Sequence, residues 1–206
     1  MSVIYISHDK LKAAAYFSPV KDERYYLNGI LIDSTPIQTR VVATDGRALF
    51  CAKEDAKGNN VDNFVGIVPI ATIKQILSWK AQSKGGLATM RVVITTRDDP
   101  AEEHRAEWAG NVAIFKLIDG TFPPYRRIVP TDVSGEASNY DPELLMRCKK
   151  AAEALGRKAG LYDFKQGGNS PAIAVFSSEA FAVVMPMRGE QADVAKIAWG
   201  REALPE

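Results

Sequence analysis

The chain has 206 residues, 46% of them hydrophobic and 25% charged, with a formal net charge of +1. This composition supports a substantial core in one large domain or two small ones and excludes a disordered chain. No apolar run approaches the roughly 20 residues of a membrane span, and the amino end lacks the layout of a secretory signal. We therefore expect a soluble, cytoplasmic protein with no membrane partner.

Residues typical of metal or covalent chemistry are few and scattered. Cys51 and Cys148 lie far apart with no C-x-x-C motif, which favours reduced, buried thiols rather than a disulfide or a metal role. His8 and His104 are also isolated. The sequence therefore predicts no metal site, no catalytic residues, no cofactor and no enzyme activity.

Hydrophobic periodicity predicts the same order of elements three times: a strand, a helix and a run of strands. In the first unit, residues 3–7 alternate as a strand, residues 9–17 have helical spacing, and residues 25–33 and 40–52 are predicted strands. Three aromatic side chains in these strands are expected in the core: Tyr25, Tyr26 and Phe50.

The second unit repeats this pattern. Residues 64–69 are predicted to form a strand, residues 70–80 a helix with one apolar side, and residues 90–97 and 104–119 strands.

The third unit begins near residue 137 with a helix predicted over residues 142–158. Pro142 suits a first helical position and Asp141 an N-cap, whereas Gly156 and Gly160 are stop signals. Predicted strands follow at 161–165, 171–177 and 181–187.

A polar, turn-rich segment at residues 130–136 is the best candidate linker. It divides the chain into residues 1–130, a complete two-layer domain of two units, residues 131–188, half a domain, and a tail at 189–206. Unpaired strand edges invite pairing with another chain, so we expect the half domain to require a partner.

Three distant segments together indicate a family. They are R-Y-Y-L-N-G at 24–29 with V-A-T-D-G at 42–46, T-F-P-P-Y-R-R-I-V-P at 121–130, and V-V-M-P-M-R at 183–188. In order and spacing, they resemble the bacterial DNA polymerase III β sliding clamp family. The resemblance implies an α+β DNA-clamp fold, in which β-α-β-β-β units repeat with helices on the inner face and antiparallel sheets outside.

The family resemblance implies that the helices face duplex DNA and contact it without reading sequence. The predicted helices carry a basic excess consistent with this, although solvated lysines on an ordinary surface are the alternative. The DNA-facing residues that the resemblance implies are Lys12, Lys74, Lys80, Lys84, Arg147, Lys149, Lys150, Arg157 and Lys158.

In the family, the three segments converge on a hydrophobic pocket that binds short peptides of polymerases and other partners. Carried over by position, this pocket comprises Leu27, Thr44, Gly46, Arg47, Leu49, Pro123, Arg127, Ile128, Val183, Val184, Met185, Pro186, Met187 and Arg188. Aliphatic and methionine side chains suit leucine or phenylalanine anchors, and arginines suit a polar rim. Gly46 in a turn and residues 183–187 in a core strand are the purely structural alternatives.

The chain departs from the family in length, because it resembles a middle domain joined to a shortened final one. Rings in the family close on about twelve units, so three units per chain predict a homotetrameric ring. Such a processivity factor would need a clamp loader in trans, since no phosphate-binding loop is present. The alternative function is a non-encircling adaptor or decoy that binds clamp-binding peptides, and the tail either braces an interface or covers the pocket.

Overall fold

The computed structural model describes residues 2–55, 63–80, 91–96, 99, 101–160 and 162–189. Its strands in these ranges are β1 (Ser2–Ser7), β2 (Gly29–Ser34), β3 (Gln38–Thr44), β4 (Ala48–Asp55), β5 (Phe64–Pro69), β6 (Arg91–Thr96), β7 (His104–Trp108), β8 (Asn111–Phe115), β9 (Asp163–Gly167), β10 (Ser170–Ser177) and β11 (Ala180–Val184). Its α-helices are α1 (His8–Ala15), α2 (Ile70–Ser78) and α3 (Pro142–Ala154).

The strands form two antiparallel sheets. One has the order β1-β6-β7-β8 and the other the order β5-β2-β3-β4-β11-β10-β9. The first two units exchange their first strands, because β1 pairs with β6 of the second unit and β5 pairs with β2 of the first. Helices α1 and α2 contact both sheets, so the two predicted units form one interlocked body.

The main core lies between the helices and the inner faces of the two sheets. Its members include Ile4 on β1, Ile73 on α2, Phe50 on β4 and Cys148 on α3, each with no exposed surface. Helix α3 packs beside α1 and contributes to this same core. The apolar side of this helix therefore packs against the first unit as well as its own.

Several predicted elements differ from the structure. The strand expected over 25–33 begins only at Gly29, because residues Tyr25–Leu27 form a 3-10 turn in which the Leu27 N–H donates to the Arg24 carbonyl over 2.8 Å. Tyr25 is consequently 58% exposed rather than part of the core. The segments predicted as strands over 40–52 and 104–119 each belong to a hairpin, β3–β4 and β7–β8, and the second hairpin ends at Phe115.

The hairpin turn and the helix end follow from left-handed backbone positions. Ala109 and Gly110 have φ values of 51° and 79°, which fit a tight two-residue turn between β7 and β8. Gly156, at φ 78°, follows the end of α3, which stops at Ala154 rather than 158. The glycine stop signal was therefore correctly placed, and the helix is one turn shorter than predicted.

The third unit continues the sheet of the first. Strand β11 pairs with β4 from Ala180–Ala52 to Val184–Ala48, so the edge that was expected to need another chain is satisfied within this one. Among the described strands, β9 ends this sheet, and the linker covers part of its edge where the Gly135 N–H donates to the Gln166 carbonyl over 2.9 Å. The prediction that the third unit needs another chain to pair its strand edges was therefore wrong for β11.

Candidate functional site

A basic hollow of about 500 Å³ lies where the three helices meet. Four cationic side chains line it: Lys12 from α1, Lys74 from α2, and Arg147 and Lys150 from α3. The Lys150 ammonium lies 6.0 Å from the centre of the Tyr16 ring, within the range of a cation–π contact. Like charges on three separate elements produce a local positive potential that suits an anionic ligand.

The other predicted DNA-facing residues lie outside this hollow. Lys149 instead forms an ion pair with Glu153 one turn further along α3. Three more cations are exposed near the ends of helices: Lys80, Arg157 and Lys158. Lys84 lies outside the described residues.

The strands β4 and β11 bring two parts of the predicted peptide pocket together. Leu49 and Val183 are directly opposite each other across the strand pair. Both are about 1% exposed and belong to a second hydrophobic cluster with Tyr125. Val184, the next residue, points to the opposite face and lies in the main core. Only one of the two valines therefore shares a face with Leu49.

Beyond β11, the chain continues as a partly exposed segment. The Met185 N–H donates to the Arg47 carbonyl over 2.9 Å, which extends the pairing past the end of the strand. The side chains of Met185 and Met187 are 41% and 54% exposed. Pro186 lies between them, past the end of β11, which fits a residue that has no N–H to donate to a strand pair. Arg188 is exposed.

The turn between β3 and β4, residues 44–49, is held by its own hydrogen bonds. The buried Thr44 hydroxyl donates to the Ala48 carbonyl over 2.7 Å and accepts from the Gly46 N–H over 3.0 Å. Gly46 has φ 88°, and a Cβ there would lie 2.8 Å from the Arg24 guanidinium. The positive φ and the close approach of Arg24 therefore support the structural interpretation, in which Gly46 is required by the turn.

Two ion pairs tie this turn to α3. Arg47 contacts the N-cap residue Asp141 over 3.0 Å, and Arg147 contacts Asp45 over 2.6 Å. Burial alone would raise the pKa of Asp45, but hydrogen bonds from the N–H groups of Ala48 and Arg47 and from the Arg147 side chain lower it. Asp45 is therefore a carboxylate at neutral pH and a firm partner for Arg147.

An apolar groove of about 690 Å³ lies beside the pocket residues contributed by 121–130. Pro123 and Arg127 line it, whereas Ile128 is 43% exposed outside it. Its other lining residues include Leu31, Val65, Ile67, Leu117, Ile118, Phe122 and Arg126. Leu27 is buried elsewhere, with its carbonyl accepting from the Ser18 hydroxyl over 3.2 Å.

From the sequence, Tyr125 and Arg126 are expected to anchor this segment structurally, but the groove and the shared partner of the two residues, Asp33, were missed. The Tyr125 hydroxyl donates to Asp33 over 3.1 Å, and Arg126 donates to the same carboxylate over 2.8 Å. Burial raises the pKa of Tyr125, which keeps its hydroxyl a donor. The signal available in the sequence was the uninterrupted apolar run of β5 at 64–69, which is typical of a strand covered on both faces.

Two kinds of feature are absent from the described part of the chain. No group of three His, Cys, Asp or Glu side chains there is placed to hold a metal ion. None of its helices is both long and apolar enough to cross a membrane. Cys51 and Cys148 are buried, free thiols, as predicted.

Solved structures of bacterial sliding clamps share this fold. The DNA polymerase III subunit beta of Pseudomonas aeruginosa matches with a TM-score of 0.63 at 21% identity, over 90% of this chain and 66% of that one. The corresponding subunit of Thermotoga maritima matches with a TM-score of 0.66 at 11% identity, over 92% and 66%. The predicted α+β clamp fold is confirmed.

The sequence places the chain more specifically. Residues 10–124 match the family profile described as the DNA polymerase III beta subunit, central domain, and the chain belongs to this family. It is 28% identical over 187 residues to the beta sliding clamp of Escherichia coli K12, covering 91% of this chain and 46% of that protein. Against the Rickettsia bellii beta sliding clamp the identity is 25% over 197 residues, covering 93% and 44%. The chain thus spans less than half the length of these relatives.

Proposed function

We propose that this chain is a DNA sliding clamp, a processivity factor that tethers a polymerase to duplex DNA and does no chemistry itself. The observation that carries the proposal is the basic hollow, where Lys12, Lys74, Arg147 and Lys150 converge from three helices of a clamp fold. Contacts from such side chains neutralise phosphates and are independent of base sequence. Loading onto DNA would then depend on an ATP-driven clamp loader supplied in trans.

The hollow is tested by measuring how duplex affinity depends on salt. Neutralising Lys12 and Lys74 together removes two phosphate contacts, so the slope of log affinity against log salt should become less steep by about 2. The control neutralises Lys21 and Lys53 together, because both lysines are exposed, lie outside the hollow and remove the same number of charges. Equal effects from both variants would mean that the helices do not face DNA.

A closed ring is the second part of the proposal. We propose a homotetramer, in which outer strands such as β8 and β9 lie near contacts between copies. Light scattering should give about four times the 22.5 kDa chain mass, and the protein should stay on nicked circular DNA but slide from the same DNA once linearised. A monomer that binds peptides and is not retained would instead be the non-encircling adaptor.

The peptide pocket is the third part. We propose that partner peptides of a polymerase or another clamp-binding protein place leucine or phenylalanine anchors over Leu49, Val183 and the exposed methionines, next to the turn at 44–49. Its test uses Met185→Ala, with Met146→Ala as the matched control, because these side chains are 41% and 49% exposed and Met146 lies on α3, away from the proposed pocket. Peptide affinity should fall several-fold only in the first variant.

A further inference from the structure

The turn at 44–49 and the basic hollow share one side chain, Arg147. This arginine lines the hollow with Lys12, Lys74 and Lys150, and its Nη1 also donates to Asp45 Oδ2 over 2.6 Å. Asp45 in turn accepts the N–H groups of Arg47 and Ala48, each over 2.9 Å, through its other oxygen. A single carboxylate therefore joins the backbone of the turn to a cation in the hollow.

Arg147 belongs to both the hollow and the link. Its side chain is 27% exposed and lines the hollow, while its Nη1 contacts Asp45, which is 11% exposed. A phosphate in the hollow competes with Asp45 for the same positive charge. If a phosphate drew Arg147 away from Asp45, the turn would lose one of its two ion pairs to α3 and keep only the one between Arg47 and Asp141.

We infer that Arg147 couples the two sites negatively, so that duplex DNA in the hollow weakens peptide binding at the turn, and peptide weakens DNA binding by the same factor. The inference rests on the proposed function of both sites. Its physical basis is pre-organisation: with Asp45 held by Arg147, the turn presents Arg47 in one arrangement, and a freer turn must be ordered when peptide binds. A coupling of about fivefold is within the usual range for linked sites.

The first measurement is a titration of a fluorescein-labelled peptide with leucine and phenylalanine anchors, with and without saturating short duplex DNA at low salt. Each ligand is also titrated alone. If either ligand fails to bind alone, the proposed function of that site is wrong, and the coupling falls with it. If both bind alone and the duplex leaves peptide affinity unchanged, only the coupling is overturned. The expected result is a peptide affinity about fivefold weaker with duplex present.

Two variants separate this mechanism from general repulsion between an acidic peptide and DNA. Arg147→Gln should weaken the peptide about fivefold without DNA and bring the ratio with and without duplex close to one. Lys150→Gln removes an equal charge from the same hollow, but Lys150 contacts the Tyr16 ring and not the turn. It should weaken duplex binding and retain the fivefold ratio. Equal ratios in the two variants would overturn the role of Arg147.

A third variant keeps the test valid if Arg147→Gln folds poorly. Asp45→Asn preserves an oxygen that accepts the two N–H groups of the turn and removes the charge that holds Arg147. It should strengthen duplex binding, because Arg147 is released, and lower the ratio between the two peptide affinities towards one. An unchanged ratio in a variant that melts like the parent protein would contradict the inference.

Discussion

Replacing Val183 with alanine tests whether the third unit is part of the same folded body as the first. Val183 is about 1% exposed, faces Leu49 across the β4–β11 pair and packs in the cluster that contains Tyr125. The change removes two buried carbon groups at about 0.8 kcal/mol each, and the cavity adds a further term because a strand-held neighbour cannot collapse fully. We expect a loss of about 2–3 kcal/mol, or a fall in Tm of about 5–10 °C.

The assay is thermal and urea unfolding followed in parallel by far-UV circular dichroism and tryptophan fluorescence. Two of the three tryptophans, Trp79 at the end of α2 and Trp108 on β7 of the four-stranded sheet, report from the second unit rather than from the mutated strand. If the units unfold together, both signals shift by the same amount. The control is Val65→Ala in the same sheet, which removes the same atoms from a side chain that is 70% exposed and should cost under about 0.5 kcal/mol. Two separate transitions, or equal losses in both variants, would refute the reasoning.

Three further predictions concern polar groups and thiols. Tyr125→Phe should lower the free energy of unfolding by about 1 kcal/mol because the hydrogen bond to Asp33 is lost, and an unchanged urea midpoint would contradict this. Asp141→Ala should cost about 1 kcal/mol more than Asp141→Asn, since only the latter keeps the side-chain oxygen that caps α3; equal urea midpoints would show that the cap is not needed. Burial raises the pKa of Cys51 to about 11 and of Cys148 to about 12, so both thiols should resist iodoacetamide at pH 8 until urea unfolds the chain; rapid labelling of the folded protein would oppose this.

Local pattern in the sequence was sufficient for the helices and for most strands. The Asp141–Pro142 start of α3 is encoded in two neighbouring residues, and the Asp141 side chain does accept the Glu143 N–H over 2.8 Å. Gly156 encodes the stop just as locally. Tyr25 shows the limit of this approach, because an apolar run that looks like a strand is diverted by two 3-10 hydrogen bonds whose formation depends on the surrounding loop.

Contacts between distant segments were predictable only through the family resemblance. Nothing in the periodicity of β4 or β11 specifies that they pair, since each reads as a strand with two apolar faces and any strand edge would satisfy its hydrogen bonds. The shared Arg147 is a similar case. A lone arginine on a polar helix face indicates a solvated charge, and its partner Asp45 is 102 residues away in the chain.

The register between β4 and β11 is what places the last segment of the proposed pocket beside the first. Because Leu49 faces Val183, both side chains reach the outer cluster, while their neighbours Ala48 and Val184 reach the main core. Slipping the pair by one residue would exchange these faces, burying Leu49 among the helices and moving the valine of the pocket to the wrong side. Ala48 and Ala182 are small enough to pack beneath the helices, where a leucine would not fit. Packing on the inner face therefore favours the same β4–β11 register that places Leu49 opposite Val183 on the outer face.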